Sequence, residues 1–337
     1  MSRRPRVLIV DDSAFARTVL SRILRATGVI DVAGTARDGN DALEKIAALD
    51  PDVVTLDLTM PELDGLGVLR ALHGRARPRV LVVSMSGVET DLGVHALALG
   101  AVDVITKPTA VASDRLHELG AQLVAKVMAA AERFVEPVPV QTARLRRAGP
   151  PAKLIVVGTS TGGPQALTHI VGALPADLAA PVVMVLHIPI GYTQALSARL
   201  DKGSKLDVVE AHDGLVLRPG QVVLARAGLQ CAVRRDGTAL RLQLSLQPVA
   251  PFMPSVDELF TSAAAAAGAG VLGVVLTGMG DDGLVGSRAI AAAGGALLTE
   301  AASTCVVYGM PRCVFDAGLD AEAVPLDRMA EEIAKRA

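Results

Sequence analysis

Residues 154–163 read Leu154-Ile155-Val156-Val157-Gly158-Thr159-Ser160-Thr161-Gly162-Gly163. Four apolar residues in a row, two of them valines, predict a strand buried on both faces of a parallel sheet. The glycines let the chain turn sharply, and Pro164-Gln165-Ala166-Leu167 fits the first turn of a helix. A serine at such a corner stands at the carboxyl edge of the sheet, where N–H groups of the helix start can stabilise an oxyanion. An ordinary Gly/Ser turn has the same pattern, so the rest of the chain decides between the two.

Downstream, buried-strand runs recur at Val182–Leu186, Gln221–Ala225 and Val271–Leu276, separated by helical segments such as Gln165–Ala173 and Val256–Ala267. This predicts a doubly wound parallel sheet over residues 153–337. Two further strand ends carry partners for Ser160: His187 follows Val182–Leu186, and Asp281-Asp282 follow the run that ends in Thr277-Gly278-Met279-Gly280. If these strands are parallel, the three side chains meet at one edge. An imidazole is the base that can take a serine proton near neutral pH, and a carboxylate on its other nitrogen fixes the tautomer. Spacing leaves Asp281 and Asp282 equivalent. The order Ser…His…Asp differs from the Ser…Asp…His order of α/β-hydrolases. Gly268-Ala269-Gly270-Val271-Leu272-Gly273 matches a dinucleotide fingerprint but precedes a strand, which is the wrong geometry for that site.

Upstream, Val7–Val10, Val32-Ala33-Gly34, Val53–Leu56, Val80–Val83 and Val102–Ile105 alternate with amphipathic stretches such as Ala14–Ala26 and Asp41–Leu49. This predicts a small (βα)5 domain over residues 1–130, so the fold class is α/β throughout. Asp11 and Asp12, Asp57, Ser84 and Lys107-Pro108 follow four of its strands. Carboxylates converging on one edge repel one another unless cations offset them; a hard divalent ion and the Lys107 ammonium would do so. That set suits phosphoryl transfer to an aspartate. Between the domains, residues 131–152 hold prolines without periodicity and the cluster Arg144-Leu145-Arg146-Arg147, and read as a solvated connector.

Composition narrows the function. The 337 residues are 51% hydrophobic but only 2% aromatic, so both cores are aliphatic. A net charge of −2 gives no electrostatic case for a nucleic-acid partner, and no basic recognition helix is present. Three cysteines without zinc-like spacing fit a reducing, cytoplasmic setting. The uncharged stretch 262–280 is broken by glycines, so no membrane insertion is expected.

Two resemblances follow. Asp11-Asp12-Ser13, Thr55-Leu56-Asp57-Leu58-Thr59-Met60-Pro61, Ser84 and Lys107-Pro108 resemble a two-component receiver domain. The resemblance implies Asp57 as phosphoacceptor, Mg²⁺ held by Asp12, Asp57 and the Thr59 carbonyl with Asp11 assisting, and Ser84 and Lys107 as phosphate sensors. Val104 stands where receivers usually carry an aromatic residue, so gating would act without the usual aromatic rotamer. The stretch 158–164, with Leu186-His187-Ile188-Pro189, Pro254-Ser255-Val256-Asp257, Leu276–Gly283 and Val307-Tyr308-Gly309-Met310-Pro311-Arg312, closely resembles the CheB family of chemotaxis protein-glutamate methylesterases.

The second resemblance implies Ser160 as nucleophile, His187 as base, Asp282 as its orienter, the Met279 backbone N–H in the oxyanion region, and no cofactor in the esterase site. It implies methyl-accepting chemoreceptors as substrates, glutamine deamidation beside ester hydrolysis, a cognate histidine kinase as partner, a monomer, and an unphosphorylated receiver packed over the Ser160 cleft. Met253 stands where the family often has Arg, and Ala225–Gln230 replaces its A-P-G-G-x-H-like turn. These departures favour one alternative, a receiver-linked docking module without catalysis.

Overall fold

The computed structural model describes residues 3–75, 77–85, 90–107, 113–131 and 151–337. The chain divides into two compact units, Met1–Arg133 and Phe134–Ala337. The expected connector 131–152, its arginine cluster included, lies outside the described residues apart from its ends, and so does Pro108.

In the first unit the order is β1 (Arg6–Val10), α1 (Ala14–Ala26), β2 (Asp31–Ala36), α2 (Gly39–Leu49), β3 (Val53–Leu56), α3 (Gly65–Leu72), β4 (Arg79–Met85), α4 (Thr90–Ala98), β5 (Asp103–Lys107) and α5 (Ser113–Ala131). The strands form one parallel sheet in the order β2-β1-β3-β4-β5. β1 and β3 are apolar nearly throughout because helices cover both faces of a parallel sheet. The helices start on short polar side chains: Ser13, Asp38 and Asp64 each accept a backbone N–H from the first turn of α1, α2 and α3.

The second unit runs β6 (Leu154–Thr159), α6 (Gly163–Ala173), β7 (Val182–Leu186), α7 (Tyr192–Gly203), β8 (Asp207–Glu210), β9 (Gln221–Leu224), β10 (Gln230–Asp236), β11 (Ala239–Ser245), α8 (Val256–Ala267), β12 (Val271–Val275), α9 (Leu284–Ala292), β13 (Ala296–Glu300), α10 (Met310–Asp316), β14 (Glu322–Val324) and α11 (Leu326–Ala334). Seven strands pair in the order β14-β13-β12-β6-β7-β9-β8, all parallel. The chain leaves β6 towards β7 and later returns to β12 on β6's other side. The switch in winding therefore falls between β6 and β12, the place where open α/β sheets build their sites.

The sequence pattern passes over β8, β13, β14 and the antiparallel hairpin β10–β11. The hairpin's outer residues are exposed arginines and aspartate, while Cys231, Val233 and Leu242 pack inward against α8. Gly268–Gly270 forms a tight turn leading into β12, as its position before a strand requires.

Candidate active site

The nucleophile corner is made by sequence-local geometry. β6 ends at Thr159, Ser160 follows, and the Gly163 N–H donates to the Ser160 carbonyl at 2.7 Å to close the turn. Gly162 enters α6 at φ +84°, and a Cβ there would lie 2.6 Å from Val306 Cβ, so a larger residue is excluded on both counts. Across the switch point the Ser160 N–H donates to the Thr277 carbonyl at 3.1 Å, and the His187 N–H donates to the Thr159 carbonyl at 3.1 Å. Ser160, His187 and the loop after β12 therefore stand on three neighbouring parallel strand ends. Gly278 permits their closeness: a Cβ there would sit 3.0 Å from Ser160 Cβ and 2.3 Å from Met310 Sδ. Met279 lies in this same loop, at the Ser160 corner.

Asp282, not Asp281, reaches the imidazole. His187 Nε2 lies 2.8 Å from Asp282 Oδ2. Asp282 also accepts the Ser255 hydroxyl at 2.9 Å and the Val256 and Asp257 N–H groups at 2.8 and 2.9 Å. Those N–H groups belong to the first turn of α8, whose partial positive charge favours an anion. Burial works against an ionised Asp282, but the His187 hydrogen bond and the two backbone donors outweigh it and hold its carboxyl below the usual range. Asp257 returns the arrangement, its Oδ1 accepting the Gly283 and Gly286 N–H groups at the start of α9. Burial, with the neighbouring Asp282 charge, raises the Asp257 carboxyl.

Because Nε2 donates to a carboxylate that can only accept, the bare nitrogen of neutral His187 is Nδ1. It is buried and has no hydrogen-bond partner. This reverses the nitrogen roles of the Ser–His–Asp template, in which the carboxylate holds Nδ1. Phe252 stacks on the imidazole with centroids 4.1 Å apart and planes 5° from parallel. The Phe252 carbonyl is held by Gln230, whose Nε2 donates to it at 3.1 Å while its Oε1 accepts the Ser255 N–H at 2.8 Å. The sequence reading gives no role to Phe252, Gln230 or Ser255, although Ser255 stands in one of the family-like stretches and Gln230 ends the departing turn. Only Ser255 has a readable signal, the Ser255-Val256-Asp257-Glu258 capping pattern, in which its hydroxyl accepts the Glu258 N–H at 3.4 Å.

In the first unit Asp11, Asp12 and Asp57 each bring one oxygen to within 4.8 Å of the others. Lys107 Nζ lies 2.8 Å from Asp11 and 2.6 Å from Asp57. Burial alone would lower the lysine, but the hydrogen bonds and charges of Asp11 and Asp57 outweigh it and hold it above its usual range. Ser84 and Lys107 fall inside the last residues of β4 and β5, which both run two residues beyond the predicted ends. Ser84 is buried, and Thr59 is exposed beside Asp57 in the loop after β3. Val104 is fully buried in β5. Three hard oxygen donors this close, one of them exposed, fit a divalent cation such as Mg²⁺.

Sheet order, switch point and corner residues fit a receiver-type domain followed by an α/β domain with a serine, an imidazole and a carboxylate around its switch point. Comparison with known proteins agrees. Residues 155–333 match the CheB methylesterase family and residues 7–119 the response regulator receiver domain. A Myxococcus xanthus protein-glutamate methylesterase/protein-glutamine glutaminase is 55% identical over 96% of this chain and 95% of its own length. One from Symbiobacterium thermophilum is 44% identical, covering 99% and 97%. The crystal structure of the Thermotoga maritima CheB methylesterase catalytic domain is 35% identical and covers 55% of this chain and 98% of that one, with a TM-score of 0.53. The chain belongs to the CheB methylesterase family and carries its receiver domain.

Proposed function

We propose that this chain is a protein-glutamate methylesterase, also deamidating glutamine, that acts on methyl-accepting chemoreceptors and is activated by phosphorylation at Asp57. The observation that carries the catalytic half is the pairing of His187 Nε2 with Asp282, which leaves a buried, bare Nδ1 on the strand end beside Ser160.

The chemistry follows from those groups. Nδ1 takes the Ser160 hydroxyl proton as Oγ attacks the ester carbonyl carbon. The tetrahedral oxyanion is held by backbone N–H at Met279, and Asp282 stabilises the imidazolium. Nδ1–H then protonates the departing methoxide, and methanol leaves. Water repeats the cycle on the glutamyl–Ser160 ester, returning the carboxylate and the serine. A glutamine side chain follows the same path with ammonia as leaving group.

In the receiver, Asp57 is the phosphoacceptor, and Asp11, Asp12, Asp57 and the Thr59 carbonyl would hold Mg²⁺. The bound ion would neutralise phosphoryl oxygens during transfer. The Lys107 ammonium and the Ser84 hydroxyl at the ends of β5 and β4 would meet the phosphoryl group, which adds about −1.5 to −2 charge. A histidine kinase is the natural donor to such an aspartate. Among the described residues no helix is long and apolar enough to cross a membrane.

The test is methanol release from a methylated receptor preparation, with and without a small-molecule phosphodonor. Activity that the donor raises in the parent protein but not in Asp57→Asn, and that is lost in Ser160→Ala, is the expected result. Biological output retained by Ser160→Ala would instead make this a docking module.

A further inference from the structure

Glu300 ends β13 with no exposed surface at all. One oxygen, Oε2, accepts the Thr277 N–H at 2.9 Å. The other, Oε1, is buried without a hydrogen-bond partner. Among the described residues no ion pair reaches it. The groups facing it are uncharged: Thr277 from the loop after β12, Thr304 and Cys305 from the loop after β13, and Val324 opposite it on β14. Cys305 stays a thiol, since burial pushes it far up. An ionised carboxylate there exchanges its hydration for the Thr277 N–H and the uncharged Thr304 hydroxyl and Cys305 thiol, which do not offset its burial, a balance that favours the neutral acid.

The residue that Glu300 holds is the hub of the nucleophile corner. The Thr277 carbonyl accepts the Ser160 N–H at 3.1 Å and the Thr159 hydroxyl at 2.7 Å. Its hydroxyl donates to the Thr161 carbonyl at 2.9 Å and accepts the Val307 N–H at 2.9 Å. One threonine thus touches residues 159, 160 and 161, and its own N–H is anchored by Glu300.

We propose that Glu300 is a positioning residue of the esterase site: a carboxylic acid kept neutral that fixes the Thr277 backbone and, through it, the turn carrying Ser160. Burial raises the Glu300 carboxyl against the pull of the Thr277 N–H, the Thr304 hydroxyl and the Cys305 thiol. The inference rests on Ser160 being the nucleophile.

The test compares Glu300→Gln and Glu300→Ala in the full chain, by methanol release and by thermal midpoint against pH. A glutamine keeps the acceptor for Thr277 and adds no charge, so its kcat should stay within about twofold of the parent; alanine frees the turn and should lower kcat by about tenfold or more with KM little changed. The pH readout separates a neutral acid from a carboxylate. A folded-state pKa raised above the unfolded value of about 4.3 means the folded chain keeps a proton that the unfolded chain releases, so parent stability falls as pH rises. The midpoint of Glu300→Gln should therefore gain on the parent steadily from about pH 5 upward.

Three results would overturn the proposal: an alanine variant with unchanged kcat, a glutamine variant as impaired as alanine, or a glutamine midpoint that falls behind the parent as pH rises. If the alanine variant does not fold, the glutamine rate and its midpoint series decide. Ser160→Ala read alongside keeps the two failures apart: activity surviving there refutes the nucleophile, while the midpoint series is independent of it.

Discussion

Two corners of this molecule use carboxylates at the ends of parallel strands, and they satisfy them in opposite ways. In the receiver unit Asp11 and Asp57 are buried against each other with one ammonium, Lys107, between them. In the esterase unit the single carboxylate of Asp282 is met by an imidazole, a hydroxyl and two backbone N–H groups. The first corner has a surplus of negative charge that a cation must relieve. In the second, every donor that meets the carboxylate comes from the protein itself, and those donors hold it against the imidazole. A site that recruits metal and phosphoryl group needs unfinished electrostatics; a site that moves a proton between two side chains needs them finished beforehand.

The largest effect that can break this contrast is on catalysis. Asp282→Asn offers an amide where Nε2–H needs an anion, and favours the wrong tautomer. Esterase kcat should fall about 10⁴-fold while phosphorylation of Asp57 is untouched; a decrease under tenfold, measured by methanol release, would mean that the completed carboxylate is not what primes His187. Next comes Lys107→Ala, which leaves Asp11 and Asp57 without their cation. The first unit should lose about 3 kcal/mol in a denaturant titration, with the second unit's transition unchanged.

Added Mg²⁺ sharpens the same point. At a hundred times its Kd it should stabilise the first unit by about 2.7 kcal/mol and leave the second unmoved, as read by calorimetry with and without chelator. The two corners should also fail at opposite ends of the pH scale. The Lys107 pKa is raised on folding, so its contribution is complete below about pH 10.4 and is lost as pH climbs through the folded value. The Asp282 pKa is depressed, so its contribution is complete above about pH 3.9 and is lost on further acidification. Unfolding curves of Lys107→Ala and Asp282→Asn against pH, each compared with the parent, read these slopes. The smallest expected change is in Phe252→Ala. Losing the parallel stack on His187 should cost about 1 kcal/mol, or several-fold in kcat/KM, without altering overall stability.

Much of this was legible from local pattern. The apolar runs placed β3 and β7 at Val53–Leu56 and Val182–Leu186, and α1 at Ala14–Ala26, because burial on both sheet faces and helical amphipathicity leave strong periodic signals. Ser160 and His187 could be picked out because each closes such a run. The hairpin β10–β11 is readable in part, through the alternation Leu240-Arg241-Leu242-Gln243-Leu244 of a half-buried strand, but a reading built on continuous apolar runs passes over it. Short β14 carries too few residues to show a period.

What the amino-acid order determined by itself is the set of strand ends and which chemical groups stand on them: Asp11, Asp57 and Lys107 in one unit, Ser160, His187 and the Asp281-Asp282 pair in the other. What only the tertiary structure decided is which of those groups act together and through which atoms. It brought Asp282, the residue the family resemblance implies, onto the imidazole, put the carboxylate on Nε2 instead of Nδ1, laid Phe252 on the ring, and set Glu300 behind Thr277. Periodicity along one segment reports that segment's own burial, whereas hydrogen-bond partners such as His187 and Asp282, 95 residues apart, are selected by the register of neighbouring strands and the aim of helix starts, and these exist only once the sheet is assembled.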